Sequence, residues 1–257
     1  MTSIDLNCDL GEGFGVYSLG NDAELMPLIT SANIACGFHA STPLLMARSV
    51  LLAKGHGVAV GAHPSYPDLV GFGRRAMEVR PEELWADLVY QIGALASFCR
   101  AEGVRLGHVK AHGALYNRAA VHRDTARVIA EAVRSAAPDA VMVCLAGSEM
   151  TAAARERGLP FVEEAFADRA YGPDGTLVPR SREGAVLHDP ILVAERLVRM
   201  IREQQVEAAD GSLVPLRFGT VCVHGDTPGG VAMIREIRRR LEGEGIALSP
   251  FGGERFS

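Results

Sequence analysis

The sequence predicts a closed parallel (β/α) barrel, running over residues 1–257 as a single domain. Three observations lead there. Short apolar runs alternate with longer amphipathic stretches along all 257 residues, with no break in composition. Strands separated by helices make a parallel sheet covered on both faces. The units number seven or eight, which favours closure over an open doubly wound sheet. Finally, the polar residues able to do chemistry gather where the strands end, and in a barrel those ends share one mouth.

The elements follow in order. SIDLNCD (3–9) reads as a strand, followed by a Gly-rich loop and a short helix in NDAELMPLI. SANIAC (31–36) is the second strand. TPLLMARSVLLAKG is the next helix, with Thr42 as N-cap, Pro43 in the first turn and Gly55 as stop. GVAVGA (57–62) is the third strand, and a loop rich in Gly and Pro runs to about residue 80. Pro81 opens a helix reaching about Glu102, before the fourth strand, RLGHVKA (105–111). A helix over 122–136, a strand at 139–146 and a helix at 148–157 come next, then a sixth strand, PFVEEAF (160–166). A polar loop covers 167–188, and Asp189 caps the helix that follows it. VEAADGSLVPL is a hairpin turned at Asp210-Gly211. RFGTVCVHG (217–225) is the seventh barrel strand, TPGGVAMIREIRRRLEGEG the last helix, and IALSP a short final strand.

Composition narrows the function classes. The chain is 48% hydrophobic and 22% charged, as globular proteins are. A net charge of -5 argues against nucleic acid or an anionic membrane as partner, so a small anionic substrate would need a local positive pocket. No apolar run reaches the length of a membrane span, and MTSIDLNCDLGEG lacks the basic and apolar regions of a signal peptide. The five cysteines (Cys8, Cys36, Cys99, Cys144, Cys222) form no CxxC pair and read as reduced, mostly buried thiols. A cytoplasmic protein is expected.

The strand ends carry the candidate chemistry. Asn7, Asp9 and Glu12 follow the first strand, Cys36 and His39 the second, and His63 the third. His108, Lys110 and His112 close the fourth at alternate positions, which places all three on one face. Glu163, Glu164, Asp168 and Arg169 accompany the sixth, and His224 and Asp226 the seventh. Lys110, set among apolar residues and aimed into a barrel, requires an anionic partner, and Asp9, Glu164 and Asp226 are candidates. In VHGDTPGG, Thr227, Gly229 and Gly230 open a helix with bare N–H groups, suited to an anion. GxxxxGK[ST] is absent, so this is not a Walker A loop. In LVGFGRRAM, Arg74 and Arg75 beside two glycines could clamp a phosphate or carboxylate. Asp9, His39 and His63 form a metal-ligand set fitting Zn, Mn or Fe better than Mg.

Six ordered blocks then resemble the LamB/YcsF lactam-utilisation family. They are DLNCDLGEGFG (5–15), SANIACGFHA (31–40), GAHPSYPDLVGFGRR (61–75), HVKAHGALYN (108–117), EEAFADRAYGPDG (163–175) and VCVHGDTPG (221–229). Three departures stand out. Ala111 replaces a usual proline and should face away from the site. Ser41-Thr42 replaces Gly-Asp, keeping a helix cap but losing a strong metal or base ligand. Ser65 replaces a glycine. The resemblance implies a barrel like those of the glycoside hydrolase/deacetylase superfamily. It also implies ATP-dependent opening of 5-oxo-L-proline to L-glutamate together with 5-oxoprolinase subunits B and C. Such a reaction needs a cation at the transferring phosphoryl group, a base for water and anchors for the substrate carboxylate. Lys110 would supply the cation, with Mg²⁺ or another divalent ion held by Asp9 or Asp226. His112, His224 or Glu164 would move protons. Asn7, His108, Tyr116, Asn117, Arg169, Thr227 and Gly229, with Arg74 and Arg75, would bind substrate or phosphate. Alternatives from other classes are a metal-dependent deacetylase or amidohydrolase working without ATP, and a non-catalytic lactam- or nucleotide-binding subunit.

Overall fold

The computed structural model describes residues 3–17, 21–223 and 229–251. In chain order these form β1 (Ser3–Leu10), α1 (Asp22–Leu25) with a 3₁₀ turn after it, β2 (Ser31–Ala35), α2 (Pro43–His56), β3 (Ala59–His63), α3 (Pro81–Ala101) and β4 (Leu106–Val109). There follow α4 (Gly113–Val121), α5 (Arg123–Ala136), β5 (Val141–Leu145), α6 (Glu149–Glu156), β6 (Phe161–Phe166) and α7 (Pro190–Glu203). The remainder is β7 (Gln205–Glu207), β8 (Leu213–Pro215), β9 (Thr220–Cys222), α8 (Gly230–Gly243) and β10 (Ala247–Leu248).

Seven parallel strands make a closed barrel in the order β1-β2-β3-β4-β5-β6-β9, because β9 pairs back onto β1 from Asp5↔Thr220 to Asn7↔Cys222. The open sheet is thereby excluded. The short β10 pairs only with Ser3 and Ile4 at the start of β1, outside the ring. Strands β7 and β8 form the antiparallel hairpin expected around Asp210-Gly211, with Gly211 at φ +85°.

Parity on β1 shows how this barrel is filled. Ile4, Leu6, Cys8 and Leu10 belong to the apolar shell packed against the helices. Asp5, Asn7 and Asp9 alternate with them and turn inward. The interior is therefore polar, and it is stable because its groups satisfy one another. The Asp5 carboxylate accepts from the hydroxyls of Thr30 (2.7 Å), Ser31 (2.6 Å) and Thr220. Asn7 Nδ2 donates to Glu164 Oε1 (2.8 Å) and Thr220 Oγ1 (2.7 Å), while its Oδ1 accepts from Asn33 Nδ2 (2.8 Å). His108 Nε2 donates to Asn33 Oδ1 (2.8 Å), and its ring meets that of Phe251 edge-on at 5.1 Å. The imidazole fits only because Gly61 faces it; a Cβ there would lie 2.1 Å from the ring. Such an interior would resist a lone substitution, since removing one member leaves a buried donor or acceptor unpaired.

Some expected boundaries move. Gly55 stays inside α2, and the helix stops at Gly57, whose φ of +66° suits the left-handed C-cap. Helix α4 is not among the expected elements: it opens on Gly113 with no side-chain cap, so it lacks the usual start signal. Thr42 caps α2 through Oγ1, which accepts from Leu45 N at 3.3 Å. Ser41, standing where the resembled motif has glycine, holds φ +80° while its N–H donates to Gly13 O (2.7 Å). All five cysteines are free and buried. No helix among the described residues is long and apolar enough to cross a membrane.

Candidate active site

The fourth strand supplies three rungs. His108, Lys110 and His112 all turn inward, and pairing with β3 continues past the end of β4 through Lys110 N to Ala62 O and His112 N to Pro64 O, both 2.9 Å. His108 lies beneath the site, fully buried and neutral: burial, then the Lys110 charge, pull its pKa down to about 3. Lys110 sits in the middle rung. Its ammonium contacts Glu164 Oε1 (2.9 Å), Asp9 Oδ1 (3.1 Å), Asn7 Oδ1 (3.1 Å) and Cys222 Sγ (3.1 Å). Burial opposes the charge, but the carboxylates of Asp9 and Glu164 hold the ammonium well above its ordinary pKa. Its three N–H donors are thus taken up by the protein itself, which makes Lys110 the counterion of two buried acids. Glu164 is completed by the Tyr116 hydroxyl, which donates to Oε2 at 2.7 Å.

The top rung is a cluster of imidazoles and a carboxylate. Ligand atoms of Glu12, His39, His63 and His112 lie within 4.8 Å of one another, and all four residues are buried. They come from the loops and ends of four consecutive barrel strands, β1 to β4. Backbone geometry sets their tautomers. His63 Nδ1 is 2.7 Å from Lys110 O, and His112 Nε2 is 2.8 Å from Phe72 O. A carbonyl only accepts, so these nitrogens carry the protons. The opposite nitrogens, His63 Nε2 and His112 Nδ1, face each other at 3.0 Å with bare lone pairs. His63 Nε2 also faces Asp9 Oδ2 at 3.2 Å, and His39 Nε2 faces Glu12 Oε1 at 3.3 Å. Acceptors converging in this way call for a cation or a shared proton between them. Burial, and then the neighbouring imidazoles, hold His39 and His112 well below the ordinary histidine pKa. They are neutral at pH 7, the form that ligates a metal. Ring nitrogens that donate outward to carbonyls while pointing their lone pairs inward match the supporting contacts of metal-ligating histidines. The donor set is nitrogen-rich and suits Zn, Mn, Fe, Co or Ni; Mg²⁺, which prefers oxygen, fits poorly.

The LVGFGRR loop builds this arrangement. Phe72 and Gly73 both adopt left-handed backbone, φ +54° and +65°, which turns the Phe72 carbonyl onto His112. A Cβ on Gly73 would lie 2.3 Å from Ser65 Oγ and 2.7 Å from the His112 ring. The arginine pair divides. Arg74 lines the cavity above the cluster, while Arg75, its side chain 64% exposed, is bound by the Asp68 carboxylate and steadies the loop. An anion clamp of two arginines is therefore not formed here.

The cavity measures about 400 Å³. It is lined by Asp9, Glu12, His63, Lys110 and His112, by Tyr116, Leu145, Phe166 and Leu177, and by Arg169, Arg180 and Ser181; Asn117 lines it too. Ala111 borders it as well, between the inward-turned Lys110 and His112, and is packed in the apolar core. Asn7 and His108 lie below it. Glu163 turns outward, accepting from Gly147 N (3.0 Å), so only Glu164 of that pair is internal. Compared with the expected metal set, His39 and His63 remain, Glu12 and His112 join them, and Asp9 is engaged alongside by Lys110 and by Asn33 Nδ2 (2.9 Å). Glu12 was visible as a residue following a strand, but nothing in its spacing marked it as a ligand. Gly229 sits at φ +90° as the N-cap of α8. His224, Asp226 and Thr227 lie outside the described residues.

Comparison with known proteins agrees with this geometry. The LamB/YcsF family profile matches residues 4–255. A 5-oxoprolinase A subunit of Pseudomonas syringae pv. tomato is 52% identical over 99% of this chain and all of its own length. The 5-oxoprolinase A subunit of Pyrococcus furiosus is likewise 52% identical, over 97% of this chain and 98% of its own. The crystal structure of a lactam utilization protein from Thermus thermophilus superposes with a TM-score of 0.92 at 49% identity, covering 97% of this chain and 100% of that one. Matched from end to end in both sequence and barrel geometry, this chain belongs to the LamB/YcsF family.

Proposed function

We propose that this chain is the A subunit of an ATP-dependent 5-oxoprolinase, opening 5-oxo-L-proline to L-glutamate in company with subunits B and C. The observation that carries the reading is the buried Glu12, His39, His63 and His112 cluster beside the Asp9–Lys110–Glu164 triad, bordering a small cavity, in a chain whose full-length relatives bear that name.

The chemistry sets what the residues must do. Transfer of the γ-phosphoryl group of ATP to the lactam oxygen releases ADP and makes the ring carbon electrophilic. Water then adds to that carbon. If phosphate left next, the lactam would simply re-form. The ring C–N bond must break instead, with the nitrogen leaving as an amine and an acyl phosphate remaining, which a second water converts to glutamate and phosphate. Ring opening therefore requires a base for water and a proton delivered to nitrogen. Asp9 fits both, its side chain 12% exposed at the cavity floor and oriented by Lys110 on one oxygen and His63 on the other. Lys110 is the shared counterion of Asp9 and Glu164. Glu12, His39, His63 and His112 would hold a divalent transition-metal ion, whose chemistry is to polarise the lactam or phosphoryl oxygen.

The test is to measure ADP and glutamate from 5-oxo-L-proline and ATP with this chain alone, with subunits B and C alone, and with all three. Coupled products from the full set only, and a fall of about 10²-fold or more with Asp9→Asn, are the expected results. Nucleotide-independent lactam or amide hydrolysis by this chain and a metal ion would replace the proposal with the amidohydrolase reading, which the same cluster could serve.

A further inference from the structure

Part of the cavity lining belongs to the segment between β6 and α7, and it carries two guanidinium groups for which the ring-opening chemistry above has no use. Arg169 is buried, 5% exposed. It pins its own loop, donating through Nε to Ala185 O (3.2 Å) and through an Nη to Val178 O (2.6 Å), and isolated bridges Arg169↔Val186 and Tyr171↔Leu177 brace the same segment. Arg180 reaches the cavity from the turn that follows this braced stretch. Among the described residues, no carboxylate lies within ion-pair distance of either guanidinium. Burial, then the charge of Arg180, pull the Arg169 pKa down to about 10, and the adjacent Asp168 only partly offsets this. Two guanidinium groups lining one cavity, neither held by a carboxylate, favour an anion between them.

The same cavity is lined by His63, His112 and Asp9 and by the apolar Leu145, Phe166 and Leu177. A ligand matching this lining has a polar reacting group, a short apolar stretch and an anionic group. Resting on the function proposed above, we infer that Arg169 and Arg180 form the subsite for the α-carboxylate of the lactam substrate. They thereby place its two ring methylenes against Leu145, Phe166 and Leu177 and its amide toward the cluster. Arg180 is the specificity-determining residue, because Arg169 is committed to the loop through two carbonyls. A nucleotide phosphate is the other anion that such a pair could hold.

The experiment uses the reconstituted three-subunit enzyme with 5-oxo-L-proline and with 2-pyrrolidinone, the same ring without the carboxylate. Arg180→Ala is expected to raise KM for 5-oxo-L-proline by about 10- to 100-fold, the range for loss of a charge-assisted pair. It should also shrink the preference for 5-oxo-L-proline over 2-pyrrolidinone by a similar factor, with Arg180→Lys recovering part of both. An unchanged KM and an unchanged preference would overturn the inference. So would a rise in KM confined to ATP, which would assign the pair to a phosphate. Failure of the function proposed above gives a different signature, with no ATP-coupled ring opening even by the unaltered enzyme. Calorimetric titration of this chain with both lactams then decides the subsite independently: tighter binding of 5-oxo-L-proline that Arg180→Ala abolishes supports it, and equal binding of both lactams refutes it.

Discussion

Asp5 shows what a polar barrel interior costs a single residue. Burial is the largest influence on its carboxyl and raises its pKa from 3.8 to about 6, although Ser31, Thr220 and Thr30 donate to it and pull the other way. The charge of Glu164 adds a smaller upward push. A carboxyl whose folded pKa exceeds its unfolded value gives stability that is present below about pH 4 and lost as pH rises through about 6. Asp5→Asn removes that titration. The variant's stability relative to the parent should therefore improve by roughly 1 kcal/mol between pH 5 and pH 8. Urea unfolding at the two pH values measures this, and a difference that is flat or of opposite sign would show that Asp5 does not titrate in this window. The parity that buries Asp5, Asn7 and Asp9 together was legible in SIDLNCDL, as was the shared face of His108, Lys110 and His112. What could not be read was which groups would meet. The 3.0 Å approach of His63 to His112 depends on left-handed backbone at Phe72, Gly73 and Gly113, and no side-chain pattern encodes that.

At the scale of elements, strands were easier to place than the helices that lie over the mouth. A strand buried on both faces is a short apolar run, and such runs stand out between Gly, Pro and charged residues. Helix α4 crosses beside the site, begins at a glycine and meets α5 at His122, which serves as the cap of both ends. With one residue as junction, the two helices blur in sequence. Helix α7 is the opposite case. Asp189 precedes Pro190, and its carboxylate accepts from Ile191 N (2.9 Å) and Leu192 N (3.1 Å). Asp189→Ala should cost about 1 kcal/mol, a fall of about 2–4 °C in Tm for a chain of this size. Asp189→Asn or Asp189→Ser should lose much less. Equal losses in all three variants would mean that the carboxylate acts through charge on the helix dipole and not as a cap. Because α7 follows the loop bearing Arg169 and Arg180, fraying of its first turn would also loosen that part of the cavity lining.

For the whole molecule, the imidazole cluster joins the site to the stability of the barrel. Its members stand on the β1 to β4 side of the ring, so a bound ion would tie four successive strand–loop units at the end where strand hydrogen bonding stops. Anything that binds the folded state alone stabilises it by RT ln(1 + [L]/Kd), about 2.7 kcal/mol at one hundred times Kd. For a chain of this length that is a rise of roughly 5–10 °C in Tm. Zn²⁺, Mn²⁺, Co²⁺ or Ni²⁺ should produce it in metal-stripped protein, and Mg²⁺ at the same concentration should not, given three imidazole donors. His39→Ala lowers the starting Tm for ordinary packing reasons, so the informative quantity is the ion-dependent increment, which this variant should lose. That comparison also removes any contribution from ions bound by the five cysteines of the unfolded chain. Lowering the pH should weaken the increment late, below the usual histidine range, because His39 and His112 resist protonation in the folded cluster. A transition-metal increment of the same size in His39→Ala, or none in the unaltered chain, would leave a proton shared between His63 and His112 as the way the facing lone pairs are reconciled. The cluster would then be an acid–base device, with Asp9 and Glu12 compensating its charge.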